Sequence, residues 1–179
     1  MNDSVLSRSW FGRLVFGLCA LLVLFVSLVP LGFTPRFTPR PDWLFALTFA
    51  ILLRRPEFVP VWLVGGVFLL ADFLLLRPPG LWTALVILTC EFARTQEYRL
   101  RDLGYAMEWA FVAVILFLAL VTHRSVLTLA LVPRAPFDEI MLHYLVTMLA
   151  YPVVVFFCYF ILRIRKFTPD EATRLGRRL

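Results

Sequence analysis

Charge is what this sequence has least of: Asp, Glu, Lys and Arg supply 17% of the 179 residues against 61% hydrophobic ones, and the mean hydropathy is +0.84. Most positions therefore cannot face water, and a water-soluble globular fold is excluded. No polar stretch is long enough to build a soluble domain, and no internal repeat or low-complexity tract interrupts the chain. Reactive side chains are scarce too. Cys19, Cys90 and Cys158 fall inside apolar runs without paired spacing, which argues against disulfides and thiolate metal sites and for small buried or lipid-facing residues. The two histidines, His123 and His143, lack ligand spacing. No Ser/His/Asp or Cys/His combination offers a nucleophile, so no enzymatic activity, metal or cofactor is expected.

What the chain has instead is six apolar segments separated by short arginine-bearing loops. Residues 11–33 and 140–162 exceed the ~20 residues that a hydrocarbon core requires, and 58–76 and 105–121 reach the lower end of that range. Residues 43–53 would rise only ~17 Å as a helix. The remaining segment, 81–93, is interrupted by Glu91 and stopped by Arg94. Snorkelling of Arg54, Arg55, Arg77 and Arg94 toward the headgroups can extend such short spans. The expected fold is all-α: a polytopic membrane helical bundle of about six transmembrane helices over residues 1–166, then a short basic cytoplasmic tail helix over 167–179. The first run is too long, and Ser27-Leu28-Val29-Pro30 too unlike a cleavage site, for a removable signal peptide.

Basic residues set the expected orientation. With six spans and the N-terminus inside, thirteen of the 18 basic residues fall on one side and five, Arg36, Arg40, Arg77, Arg124 and Arg134, on the other. That split obeys the positive-inside rule and places both termini in the cytoplasm. A five-span arrangement with 43–53 re-entrant and the N-terminus outside gives the same split, but Arg8 and Arg13 ahead of the first span favour six.

Asp72 stands out among the polar residues, a carboxylate between Leu69-Leu70-Ala71 and Phe73-Leu74-Leu75-Leu76. Such a group costs about 2.5–3.5 kcal/mol at the centre of a span, less near an interface, and usually faces a partner. The bland alternative is pairing with Arg77 or water. Glu108 lies close to the start of its segment, where Arg101 or the helix dipole would suit it, and Glu91 sits three residues before Arg94, an ion-pair spacing. His143, four residues after Glu139, fits a local pair, and His123 an interfacial position.

Other residues speak of helix geometry. Pro41 suits a first helical turn, Asp42 complements the helix dipole, and Trp43 belongs at an interface. Gly65 and Asp72, seven apart, share a helix face, and Gly80 closes the Pro78-Pro79-Gly80 hairpin. Ala106, Ala110 and Ala113 form a small-residue seam. Pro152 removes a backbone donor inside the last span, with a kink expected after Met148. In the tail, Thr168-Pro169-Asp170-Glu171 is a capping box. Arg163, Arg165, Lys166, Arg174, Arg177 and Arg178 would lie on anionic headgroups, so membrane lipids and not nucleic acid are expected to neutralise them.

Over nearly its full length the chain resembles the rod shape-determining MreD family of bacteria. The resemblance rests on Arg40-Pro41-Asp42-Trp43, on Gly65-Gly66 with Leu70-Ala71-Asp72-Phe73-Leu74, on Gly80, and on Tyr151-Pro152 before Arg163-Ile164-Arg165-Lys166. The second span is short and the tail arginine-rich for that family. The resemblance implies a non-enzymatic inner-membrane component of the elongation machinery that inserts side-wall peptidoglycan. It further implies association with the bitopic protein MreC and, through it, with MreB, RodA and a penicillin-binding transpeptidase. The family's fold looks like the substrate-binding S component of energy-coupling-factor transporters, so a small-ligand-binding subunit is the alternative. A multispan lipid enzyme would need a polar catalytic cluster that the sequence does not display.

Overall fold

The computed structural model describes residues 3–29, 40–96, 104–131 and 136–160. Residues 33–39 of the loop before Trp43, and the tail with Arg163, Arg165, Lys166, Arg174, Arg177 and Arg178, lie outside the described residues. Among the described residues all regular structure is helical: α1 (Asp3–Leu28), α2 (Trp43–Leu52), a 3₁₀ turn (Pro56–Phe58), α3 (Val61–Leu74), α4 (Leu81–Thr95), α5 (Tyr105–Leu129) and α6 (Phe137–Phe160). Three of these, α1, α5 and α6, are long and apolar enough to cross a membrane. Each keeps only 22–28% of its most apolar stretch buried inside the protein. On α1 the buried stripe is Phe16, Ala20 and Leu24, one residue per turn, while Phe11, Leu14, Leu18 and Phe25 are 61–69% exposed. An outward apolar surface of that breadth suits contact with lipid.

The centre of the bundle is α2. Nine of its ten residues are buried, so a sequence apolar all round except for Thr48 reflects protein on every side and not lipid. It packs most closely on α6 and also touches α1 and α4, while α3 and α4 form a hairpin alongside. Between lipid-exposed helices there is little hydrophobic drive, so close packing and hydrogen bonds must hold the bundle together. Gly12 supplies one such approach: a Cβ there would overlap the ring of Phe58.

Polar contacts define two ends. At the first, Asp42 before α2 meets Thr147 of α6 and Arg77 after α3. At the second, Arg54 after α2 meets Glu108 near the start of α5, and Arg13 of α1 donates to the carbonyl of Glu57. Successive helices run alternately between these ends, α2 included. Thr147 lies ten residues into α6, so α6 rises about 15 Å beyond the start of α2. Trp10, Trp62 and Tyr105, all exposed, ring the Arg54 end as interfacial aromatics do.

The boundaries correct two readings. Helix α2 starts at Trp43 with Asp42 as its N-cap, its side chain accepting from the Phe45 amide, so Pro41 precedes the cap and does not occupy the first turn. Helix α5 continues eight residues past the expected end at 121. Ser125 and Thr128 sit inside this extension with their hydroxyls satisfied on the carbonyls of Val121 and Arg124 four residues back.

Candidate functional site

Asp72 is completely buried at the last turn of α3. Its Oδ2 accepts from the amide of Gly80 (3.0 Å), the amide of Thr83 (3.2 Å) and the hydroxyl of Thr83 (2.8 Å). Gly80 is the N-cap of α4 with φ +87°, a left-handed conformation that glycine adopts without strain, and it has no side chain to cap with. Asp72 thus caps the next helix from across the hairpin, a negative charge at the positive end of a helix dipole. Gly65 shares this orientation: a Cβ there would be in ordinary contact with Ile87 of α4. Arg77 goes elsewhere. Its guanidinium lies 3.8 Å from Asp42 Oδ2, and only its backbone amide reaches Asp72, at the carbonyl.

Asp42 ties three segments together. Oδ1 caps α2, its amide donates to Thr147 Oγ1 at 3.0 Å, and Oδ2 faces Arg77. His143 and Trp82 complete a cavity of about 100 Å³ with Arg40, Asp42 and Arg77. His143 therefore turns to this cavity, while His123, six residues before the end of α5, stands edge-on to the Trp82 ring at 5.5 Å.

The second centre is buried at the Arg54 end. Arg54 Nη1 donates to Glu108 Oε1 and to the Ala50 carbonyl, both at 2.8 Å, and Tyr151 donates its hydroxyl to the same Glu108 oxygen at 3.0 Å. All three residues are at most 7% exposed. Local sequence pointed Glu108 toward Arg101 and made Arg54 a snorkelling surface residue; neither anticipates this junction of α2, α5 and α6. Glu91 and Arg94 do form the ion pair their spacing suggests, at 3.0 Å, and Arg94 also donates to the Val59 carbonyl.

Pro152 lies within an unbroken α6. Its missing amide would have bonded to the carbonyl of Met148, and that carbonyl instead accepts from the indole of Trp109 on α5 at 3.1 Å. Ala106 and Ala110 are exposed and Ala113 is half-buried, whereas the inward stripe of α5 is Glu108, Val112, Ile115, Leu116 and Ala119. The seam consequently faces outward.

What these centres do chemically is join helices. One oxygen of each carboxylate accepts from helix amides, hydroxyls or a guanidinium group, while Asp42 Oδ2 and Asp72 Oδ1 are buried without a hydrogen bond, and among the described residues no group of three His, Cys, Asp or Glu could hold a metal. A second cavity, about 420 Å³ and lined by apolar side chains, opens between α1, α2 and α6. No protein-family model, curated protein or solved structure matches the chain.

Proposed function

We propose that the chain is a multi-pass, non-enzymatic scaffold of the bacterial inner membrane, of the MreD type, required for rod shape and acting through MreC. The observation that carries this reading is where the resembling motifs fall. Asp42, Asp72, Gly80 and Tyr151 come from separate segments, and each supplies a helix-joining contact. A sequence whose sparse polar residues serve assembly, with no catalytic cluster, suits a structural subunit. RodA, a penicillin-binding transpeptidase and MreB follow as further members of the complex by the same resemblance. The outward Ala106–Ala110 seam supplies a flat helix face of the kind a single partner span approaches in lipid.

Depletion in a rod-shaped host is expected to give rounding and loss of side-wall synthesis, while the purified protein turns over no lipid-linked precursor. The S-component alternative needs a ligand cavity, and those that hold small molecules are typically about 300–1,000 Å³. The polar cavity at the Asp42 end, about 100 Å³, is well below that, and the cavity of about 420 Å³ between α1, α2 and α6, which is within it, is walled by apolar side chains without the convergent polar groups that orient a vitamin-like ligand. If depleted cells keep their shape, and a vitamin-like molecule co-purifies at one per chain, the ligand-binding reading replaces the scaffold.

The same proposal includes six spans with both termini cytoplasmic and the Arg54 end inward. Its support is the basic-residue split and the course of α2, which joins opposite ends of the bundle instead of returning to one. A reporter fused after Leu179 is expected to work only if it needs the cytoplasm, and one near Pro78 only if it needs export. An exported reporter active after Leu179 would sink the orientation.

A further inference from the structure

The two cavities have a common wall. Trp43 lines both, and the groove's Val26 adjoins the polar cavity's Ser27 on α1. The groove of about 420 Å³ is faced by Leu18, Leu22 and Val26 of α1, Leu47 of α2, and Val153 and Phe157 of α6. It offers hydrocarbon contact and almost nothing to a hydrogen-bonding ligand. Beside it, the polar cavity of about 100 Å³ presents Arg40, Arg77 and His143. It has room for a group of phosphate size.

Charge at this mouth is unbalanced. Arg77 shares the Asp42 carboxylate at a long 3.8 Å, and Arg40, which is exposed, donates a 3.4 Å bond to the Ser27 carbonyl. Asp42 Oδ1 is already committed to the Phe45 amide. Two guanidinium groups thus face one carboxylate, and their forked donors match phosphate oxygens. Asp72 lies behind this wall, with its Oδ2 accepting from Gly80 and Thr83 at the start of α4, and it does not line the cavity. Asp138 and Glu139 are exposed on α6 about a turn or more above His143. Helix α6 rises beside the mouth, which shields it from water on one side and strengthens pairing with an anion.

We propose that groove and cavity together bind one anionic phospholipid, its acyl chain lying between α1 and α6 and its phosphate held by Arg40 and Arg77. The site requires only that the chain sit in a membrane and is independent of the scaffold reading.

Native mass spectrometry of the full chain, released from nanodiscs of phosphatidylglycerol, phosphatidylcholine or phosphatidylglycerol with excess diacylglycerol, tests it. One phosphatidylglycerol per chain is expected to survive detergent activation that strips other lipids, with phosphatidylcholine retained less and diacylglycerol not at all. Arg40→Gln and Arg77→Gln should each lower retention about tenfold, the loss of one charge-assisted contact. Leu22→Trp with Val153→Trp, which fills the groove and leaves the charges, should lower it as much. Should Arg77→Gln disturb folding through Asp42, Arg40→Gln decides, since Arg40 is exposed. Equal retention of all three lipids, or no effect of Arg40→Gln, overturns the proposal. So does retention unaffected by filling the groove, or displacement of the lipid by millimolar inorganic phosphate, either of which marks a plain anion site. A co-purifying partner helix in place of lipid overturns it as well.

Discussion

Glu108→Ala is expected to destabilise the folded protein by about 3–5 kcal/mol, the usual loss when one member of a buried ion pair is removed. The Arg54 guanidinium is 7% exposed and would keep its Ala50 bond while losing its counter-charge, and the Tyr151 hydroxyl would lose its acceptor in the same step. Neither group can turn to water without opening the junction between α2, α5 and α6. Replacing both members, Arg54→Met with Glu108→Leu, should recover much of that loss, because no isolated charge is then left inside. Reversible unfolding in mixed detergent micelles reads both variants. If Glu108→Ala stays within about 1 kcal/mol of the parent, the pair is solvated in the membrane-embedded protein and does not hold the helices.

Asp72→Leu is expected to cost about 3 kcal/mol or more, because it strips the acceptor from the buried amide and hydroxyl of Thr83 and from the half-buried amide of Gly80. Asp72→Asn keeps one oxygen for those donors but loses the charge that suits the N-terminus of α4, so about 1 kcal/mol is expected. Hydrogen exchange separates this cap from a general packing defect. Amides at the start of α4, Gly80 and Thr83 first, should exchange faster in the Leu variant, while those of α2 change less. Wild-type exchange and stability in both variants would mean that Asp72 caps nothing in solution.

Helix placement was legible in the sequence because apolar runs and the Gly, Pro and Asp residues around them are local signals. Asp42, read as helix-start chemistry, does cap the helix that follows it, whereas Asp72, conspicuous as a carboxylate in an apolar run, serves the start of α4, a role that follows from chain reversal at the Pro78–Gly80 hairpin only once Asp72 is placed on the last turn before it. Long-range pairings were not legible. Glu108 and Arg54 are 54 residues apart, and nothing in either segment names the other. The donor for Met148 could have been sought: a proline inside a span frees a carbonyl, and an indole on a neighbouring span needs an acceptor. The direction of the alanine seam was also available. At about 100° per residue, Ala106 and Ala110 lie almost opposite Glu108, and a carboxylate in a span faces protein, so the alanines face away.

Helices α3 and α4 have 14 and 15 residues, and α5 and α6 have 25 and 24. As rods these are about 21–23 Å on one flank and about 36–38 Å on the other, set against a hydrocarbon layer of about 30 Å. In the proposed six-span arrangement, lipid beside α3 and α4 would have to compress or tilt to cover Leu69, Leu70, Phe73 and Leu88, whereas beside α5 and α6 the helices can tilt to fit. The molecule therefore carries a thickness gradient across its own width. Its surroundings in the plane of the membrane are unequal by direction, with deformed lipid on one side and relaxed lipid on the other.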